Sequence, residues 1–294
     1  MSEPATARAG GREALVPGIS PHVYARADFV RIAQLIHAEA GIVLGESKAM
    51  LAYSRLAPLL RETGCAGFGS FLDQLAGDRA LKARVVSALT TNHTYFNREP
   101  HHFEHFAREV RPSLLARAAK GEAIRLWSAG SSSGEEIWTL MMVLLGEDRR
   151  AGLGILKQDI VALASDLADH AILTAREARY PLAALEAMPE PLRKVWTRAG
   201  KEACEIVPEV RAMVRFRQLN LLRDWPFSGL FDVIFCRNVM IYFDEPTKRR
   251  LIERLARQLR PGGFLYIGHS ERVSGEALAL LRPAGPTIYQ KHAA

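Results

Sequence analysis

Residues 231–271 read FDVIFCRNVMIYFDEPTKRRLIERLARQLRPGGFLYIGHSE, and this stretch decides the fold. An apolar run, Phe231 to Cys236, stops at Arg237-Asn238, and a basic amphipathic helix follows. Arg260-Pro261-Gly262-Gly263 is expected to turn the chain into a second apolar run, Phe264 to Gly268. Two buried strands joined by a crossover helix form a parallel βαβ unit. Polar residues just past the first strand then lie at the carboxyl edge of a parallel sheet, where such sheets bind ligands.

Outward from this unit the same alternation recurs. AIRLWSAG (123–130) reads as a strand leading into a helix at 134–146, and DIVALASD (159–166) as a strand leading into a helix at 167–178. PTIYQKH near the end reads as a further strand of the same sheet. The pattern predicts an α/β fold, a doubly wound, mostly parallel sheet over 122–294. Residues 180–218 break the alternation with prolines near Met188 and with segments such as CEIVP and AMVRFRQL, read as an inserted β-containing subdomain. Residues 22–90 read as an all-helical N-terminal domain. Asp28 is a candidate cap for a helix that Gly41 ends, Ser47 for a second with Ala52, Leu56, Leu59 and Leu60 in one stripe. Residues 91–121 read as a linker and a helix leading into the sheet, and residues 1–21 as a disordered tail.

Composition excludes several classes. Apolar residues make up 48% and charged residues 24% of 294 residues, ordinary for a globular protein with a proper core. The most apolar run, Ile137 to Leu145, spans nine residues, too short to cross a bilayer, and no signal-peptide core is visible, so no membrane insertion is expected. Cys65, Cys204 and Cys236 are scattered without a CxxC pair, which argues against a disulfide framework or zinc site and fits a cytoplasmic protein. The net charge of +7 suits nucleic acid, an anionic surface or an acidic protein equally.

Gly130-Ser-Ser-Ser-Gly134-Glu135-Glu136 follows the first strand and opens a helix. Small residues there let a backbone approach a nucleoside ligand, and the helix start offers free N–H groups. Two acids in that first turn would repel the pyrophosphate of a dinucleotide but not a cofactor carrying a sulfonium and an ammonium. Asp166, ending the second strand, suits ribose hydroxyls or, more plainly, a helix cap. His101 to His105 match an HxxEH zinc pattern, but so short a pattern recurs by chance, and no metal is expected. Lys248, Arg249, Arg250, Glu253, Arg254 and Arg257 read as a solvated helix face rather than a phosphate site.

Four segments, in order along the chain, resemble the CheR-type chemotaxis receptor (protein-glutamate) methyltransferases: LTTNHTYFNREPHHF (89–103), SAGSSSGEE (128–136), ASDLADHAILTAREARY (164–180) and the 231–271 stretch. Asn97 stands where that family usually has an aromatic residue, and Ile137-Trp138 replace a typical Pro-Tyr. The resemblance implies a Rossmann-like fold binding S-adenosyl-L-methionine and releasing S-adenosyl-L-homocysteine. It implies that Asn92, Thr94 and Arg98 contact the cofactor near the reacting methyl, that Glu135 binds the methionine portion and Asp166 the ribose. Asn220 and Leu221 would flank the adenine, Arg237 and Asn238 lie under the methionine portion, and Tyr242 beside the transferred methyl; Arg98 and Tyr242 are the candidate catalytic residues. The implied partners are methyl-accepting chemotaxis receptors, met through their cytoplasmic helices, with Lys48, Arg55 and Arg61 as docking candidates. The loop Thr197 to Glu205 carries one glycine, Gly200, and is shorter than the loop with which some family members capture a receptor's C-terminal peptide, so no tether is expected. The enzyme is expected to act as a monomer. A nucleic-acid methyltransferase is a rival reading, weakened because Asn238-Val-Met-Ile-Tyr242 lacks the prolines of the Asn-Pro-Pro-Tyr motif. A noncatalytic cofactor-binding regulator is the other, opposed by the presence of Arg98 and Tyr242.

Overall fold

The computed structural model describes residues 15–293. They divide into two compact units at Leu89/Thr90. Of the disordered tail expected over 1–21, residues 1–14 lie outside the described residues; from residue 15 the chain forms turns instead, with Val16 and Tyr24 buried.

The first unit is helical: Arg26–Ala40, Ala49–Thr63, Phe68–Gln74 and Arg79–Leu89. The first helix starts before Asp28, whose carboxylate reaches back to accept the Ala25 N–H at 2.9 Å. It ends at Gly41, whose φ of 69° only glycine adopts freely. Ser47 does not cap the second helix; Glu46–Lys48 form a 3₁₀ turn ahead of it. Tyr24 packs at a tilt against Tyr53 and Phe68, and Phe68 meets Phe71 edge-on, so aromatics fill much of this core.

The second unit holds ten strands in two sheets: β1 Ile124–Ala129, β2 Ile160–Asp166, β3 Arg179–Pro181, β4 Thr197–Ala199, β5 Ala203–Ile206, β6 Val214–Gln218, β7 Phe231–Cys236, β8 Leu259–Ile267, β9 Leu281–Gly285 and β10 Ile288–Lys291. The main sheet runs β6-β2-β1-β7-β8-β10-β9. Its first five members are parallel, and β10 is antiparallel to both β8 and β9. Every residue of β7 is buried, as a central strand covered on both faces requires. Helix Glu135–Leu145 packs on the sheet with Ile137, Trp138, Leu140, Met141 and Leu144 buried. Helix Glu245–Gln258 turns Leu251, Ile252 and Leu255 inward and is capped by Asp244, which accepts the Thr247 N–H at 2.8 Å. Strand order reverses between β1 and β7, and the loops after β1, β2 and β7 meet at that switch point.

Two expectations need correction. Arg260 to Gly263 do not turn the chain. They run inside β8 as an irregularity, with Leu259 already paired to Phe231 and Gly262 at φ 75°. A Cβ on Gly263 would sit 2.9 Å from the Asp232 carbonyl oxygen, so glycine is what lets the strand continue. Val214–Gln218, read as part of the insert, is instead β6, the parallel edge strand beside β2. Only β3, β5 and β4 form the small antiparallel sheet. The alternating burial of VRFRQ is what an edge strand produces, and it mimics a strand of a small exposed sheet.

Candidate functional site

The carboxyl edge at the switch point collects most of the residues singled out above. Gly130 (φ 87°) and Gly134 (φ 97°) bracket the loop after β1. Their smallness serves packing within the chain: a Cβ on Gly130 would lie 2.3 Å from the Val239 side chain, and one on Gly134 would lie 2.8 Å from Ala175. Four of the non-glycine residues with left-handed backbone cluster here as well, Asn97, Glu99, Ser132 and Asn238. Such conformations persist where surrounding bonds over-determine them.

Those bonds are visible. Asp166, at the end of β2, is buried and accepts three hydrogen bonds: from the Ser132 N–H at 2.8 Å, the Ala168 N–H at 2.9 Å and the Asn92 side-chain amide at 3.2 Å. Burial raises its proton affinity, and these donors oppose that. The Ser132 hydroxyl donates to the Asn92 carbonyl at 2.7 Å, so the segment before Arg98 is sewn to the loop after β1. The Leu219 N–H donates to the Asp166 carbonyl at 2.9 Å, which brings Asn220 to the same strand end. Asn220 accepts the Leu222 N–H at 2.9 Å, and Leu221 is buried in the core.

Glu135 and Glu136 differ in kind. Glu136 is nearly buried; it accepts from the Ser128 hydroxyl at 2.7 Å and pairs with Arg237 at 3.2 Å. Arg237, its side chain 1% exposed, also pairs with Glu99 at 3.4 Å, donates to the Arg98 carbonyl, and lies over the rings of Phe103 and Phe235. Its charge is shared inside this cluster, where it holds Arg98 and Glu99. Glu99, pulled up by burial but down more strongly by Arg237 and His269, sits at about 2. It accepts from the Asn238 side-chain amide at 3.3 Å and contacts the His269 ring nitrogen at 3.1 Å. Glu135, by contrast, is buried, accepts from the Ser133 hydroxyl at 2.7 Å and from its own backbone N–H, and has no ion pair among the described residues. Burial raises its proton affinity.

That imbalance tests whether the residues fit a cationic cofactor. A buried carboxylate with no counter-ion is costly unless a cation completes it. An ammonium or sulfonium at this edge supplies one; a pyrophosphate would add to the repulsion.

Arg98 folds back, donating to the His93 carbonyl at 2.9 Å with its guanidinium 5.7 Å from the Tyr95 ring centre. Thr94 and Tyr242 are half-buried, and Tyr242 closes the 3₁₀ turn Met240–Tyr242. Asn97, in place of an aromatic residue, adopts the left-handed conformation, donates its backbone N–H to the Thr139 hydroxyl at 3.1 Å and its side-chain amide to the Ala187 carbonyl at 3.1 Å. Arg55 is tied to the Leu89 carbonyl at 2.9 Å, capping a helix end, while Lys48 and Arg61 are exposed. Of the HxxEH residues, His105 bonds Tyr266 at 2.9 Å and Glu104 is exposed, while His102, an intervening position, bonds Thr287 at 2.9 Å. Glu99 and Glu271 were not singled out from the sequence. Their signal was an acid ending an otherwise apolar or structured segment, which many solvated acids share.

The sequence model described as "CheR methyltransferase, SAM binding domain" matches residues 92–283, and that described as "CheR methyltransferase, all-alpha domain" matches residues 27–90. A "Probable chemotaxis protein methyltransferase" of Rhizobium etli is 42% identical over 262 residues, covering 87% of this chain and 96% of the relative. "Chemotaxis protein methyltransferase 2" of Pseudomonas aeruginosa is 40% identical over 273 residues, covering 90% of this chain and 93% of the relative. A "Chemotaxis protein methyltransferase" of Borreliella burgdorferi is 36% identical over 264 residues, covering 86% and 91%. With a parallel sheet, acids at its switch point and these matches along most of its length, the chain belongs to the CheR methyltransferase family and carries that family's S-adenosylmethionine-binding domain.

Proposed function

We propose that this protein esterifies glutamate side chains on chemoreceptors, taking the methyl group from S-adenosyl-L-methionine and releasing S-adenosyl-L-homocysteine. When bound, the cofactor supplies an electrophilic methyl carbon on a cationic sulfur. Asp166 would hold the ribose with its remaining lone pairs, and Asn220 and Leu221 would flank the adenine. Glu135 would meet the ammonium of the methionine portion. Asn92, Thr94 and Asn238 would line the methionine end.

A glutamate acceptor is already ionised at neutral pH, so no general base is needed. The work left to the protein is alignment of carboxylate, methyl and sulfur. Arg98 suits it: a guanidinium fork orients a carboxylate while keeping it ionised. Swinging from Tyr95 and His93 towards an acceptor is a rotamer change within reach of a half-exposed side chain. Tyr242 would stand beside the transferred methyl. The observation that carries the reading is Glu135, a buried carboxylate without a cationic partner, next to the hydrogen-bonded Asp166.

The substrate would be the cytoplasmic helices of methyl-accepting receptors, met by a cytoplasmic monomer without a C-terminal tether. Lys48 and Arg61 are the free docking candidates, since Arg55 already serves Leu89. No helix among the described residues is long and apolar enough to cross a membrane. The test is incubation with methyl-labelled cofactor and receptor-containing membranes. Label released from receptor by mild base as methanol is expected; label that resists base, or that appears in nucleic acid, overturns the reading.

A further inference from the structure

Glu271 follows β8 and is 5% exposed, yet no basic side chain pairs with it. Its two oxygens accept three backbone N–H groups. Gly268 donates to Oε2 at 2.6 Å and Asn238 to the same oxygen at 3.2 Å. Met240 donates to Oε1 at 2.8 Å. Two of these donors belong to the segment after β7, the third to the end of β8. One carboxylate therefore joins the carboxyl ends of two neighbouring strands.

The joined segment is an unusual piece of backbone. Asn238 has φ 58°, a left-handed conformation with a cost that something must offset. Met240 opens the 3₁₀ turn that ends at Tyr242, and the first N–H of such a turn has no partner within it. Glu271 satisfies both N–H groups. The approach is close: a Cβ on Gly268 would lie 2.7 Å from the Asn238 nitrogen, so only glycine lets the strands' ends come together. Glu99 holds the same asparagine from the other side, through its side-chain amide at 3.3 Å.

We propose that Glu271 is a positioning residue for methyl transfer, its carboxylate fixing the turn that presents Asn238 and Tyr242 to the reacting groups. The proposal rests on the reading of Tyr242 given above. A carboxylate suits this task better than a neutral amide. It accepts from three donors at once and offers no N–H of its own to collide with theirs. A strut that merely held the fold together would not need to act on one turn of one loop. The groups assigned to ribose and ammonium, Asp166 at the end of β2 and Glu135 at the start of the helix after β1, are not bonded to Glu271; of the assigned cofactor contacts only Asn238 lies on this turn, so turnover should fall far more than cofactor affinity.

The experiment is steady-state kinetics with receptor membranes, beside calorimetric binding of S-adenosylhomocysteine, for Glu271→Gln, Tyr242→Phe and the double variant. Glu271→Gln places an NH₂ against backbone donors. It is expected to lower kcat at least about tenfold while changing product affinity less than about threefold. The double variant is expected to be no slower than the slower single one within about twofold, because both act through one turn. Turnover of Glu271→Gln within about twofold of wild type overturns the proposal. So does parallel loss of kcat and affinity, or losses that multiply in the double variant. Normal turnover in Tyr242→Phe overturns the role of Tyr242 instead, and the split between kcat and affinity in Glu271→Gln then still decides whether Glu271 positions this edge. Should Glu271→Gln not fold, Glu271→Asp keeps the charge but is too short for all three donors, and the same split is expected.

Discussion

Replacing Arg237 by Met removes a charge while keeping a long side chain beside Phe103 and Phe235, over whose rings the guanidinium lies. What remains is two acids that shared one guanidinium, Glu136 at 3.2 Å and Glu99 at 3.4 Å, in a pocket where Arg237 itself was 1% exposed. Breaking a buried ion pair by removing one partner costs about 3–5 kcal/mol. In a unit of this size each kcal/mol lowers Tm by roughly 2–4 °C, so a fall of roughly 6–20 °C is expected. The sign of the pH dependence follows from the acids. Burial already pushes Glu136 up and Arg237 is the leading influence holding it down, so the variant's Glu136 rises further. Glu99 rises from about 2 for the same reason. His102, held at about 3 by burial and by Arg237, is freed to take a proton beside them. The folded variant's Glu136 then holds its proton above the unfolded carboxylate value of about 4.3, and this contribution to stability falls as pH rises through that window. The deficit against wild type should therefore be larger near about pH 8 than near about pH 5.5. Urea denaturation at both values measures it, and the companion Arg237→Met, Glu136→Gln should recover part of the loss by removing one stranded charge. A deficit under about 1 kcal/mol, or one independent of pH, would refute the buried-cluster reasoning.

Asp166→Ala is expected to weaken binding of S-adenosylhomocysteine by about 1.5–3 kcal/mol in calorimetry, the usual value of a hydrogen bond to a charged group. Arg98→Ala should lower kcat/KM for receptor methylation at least about tenfold, with product binding changed less. Removing a receptor's C-terminal tail should leave its methylation rate unchanged, since the short Thr197–Ala199 and Ala203–Ile206 strands meet around a single glycine. Micromolar binding of the isolated tail peptide would contradict this.

Much of the main sheet was legible because its central strands are buried on both faces and so read as near-continuous apolar runs, as in FDVIFC, interrupted by Asp232 alone. The edges were less so. Val214–Gln218 buries one face and looked like the insert, and Leu281–Gly285, carrying Arg282, Pro283 and Gly285, has no strand-like pattern at all. Arg-Pro-Gly-Gly is ordinary turn chemistry, yet β8 absorbs it through an irregular register with Phe231. The loop after β1 and the acid after β2 could be placed from sequence because each follows its strand directly. The bonds that shape the edge could not. Arg237 meets Glu136 across 101 positions and the Arg98 carbonyl across 139. No local pattern encodes a partner that distant.

The consequence is sharpest for the acids. Counting carboxylates along the chain treats Glu135 and Glu136 alike, as two charges in one helical turn that together would repel a pyrophosphate. In three dimensions the second is neutralised by Arg237, and Glu99 with it. Glu271 is spent on three backbone N–H groups, and Asp166 on two such groups and an amide. Among the acids of this edge, Glu135 is left with the Ser133 hydroxyl and its own backbone N–H, and with no ion pair among the described residues. The edge therefore offers one localised, buried negative site flanked by a polar carboxylate already ordered by its donors, rather than a diffuse acidic field. A diffuse field attracts any cation and is screened within about 8–10 Å by salt. A single desolvated carboxylate is screened far less, and it discriminates by position as well as by sign. For a cofactor whose positive groups sit at one end and whose nucleoside sits at the other, that arrangement would set orientation as much as affinity, and in the proposed assignment the methyl-bearing end would be directed towards Arg98 and Tyr242.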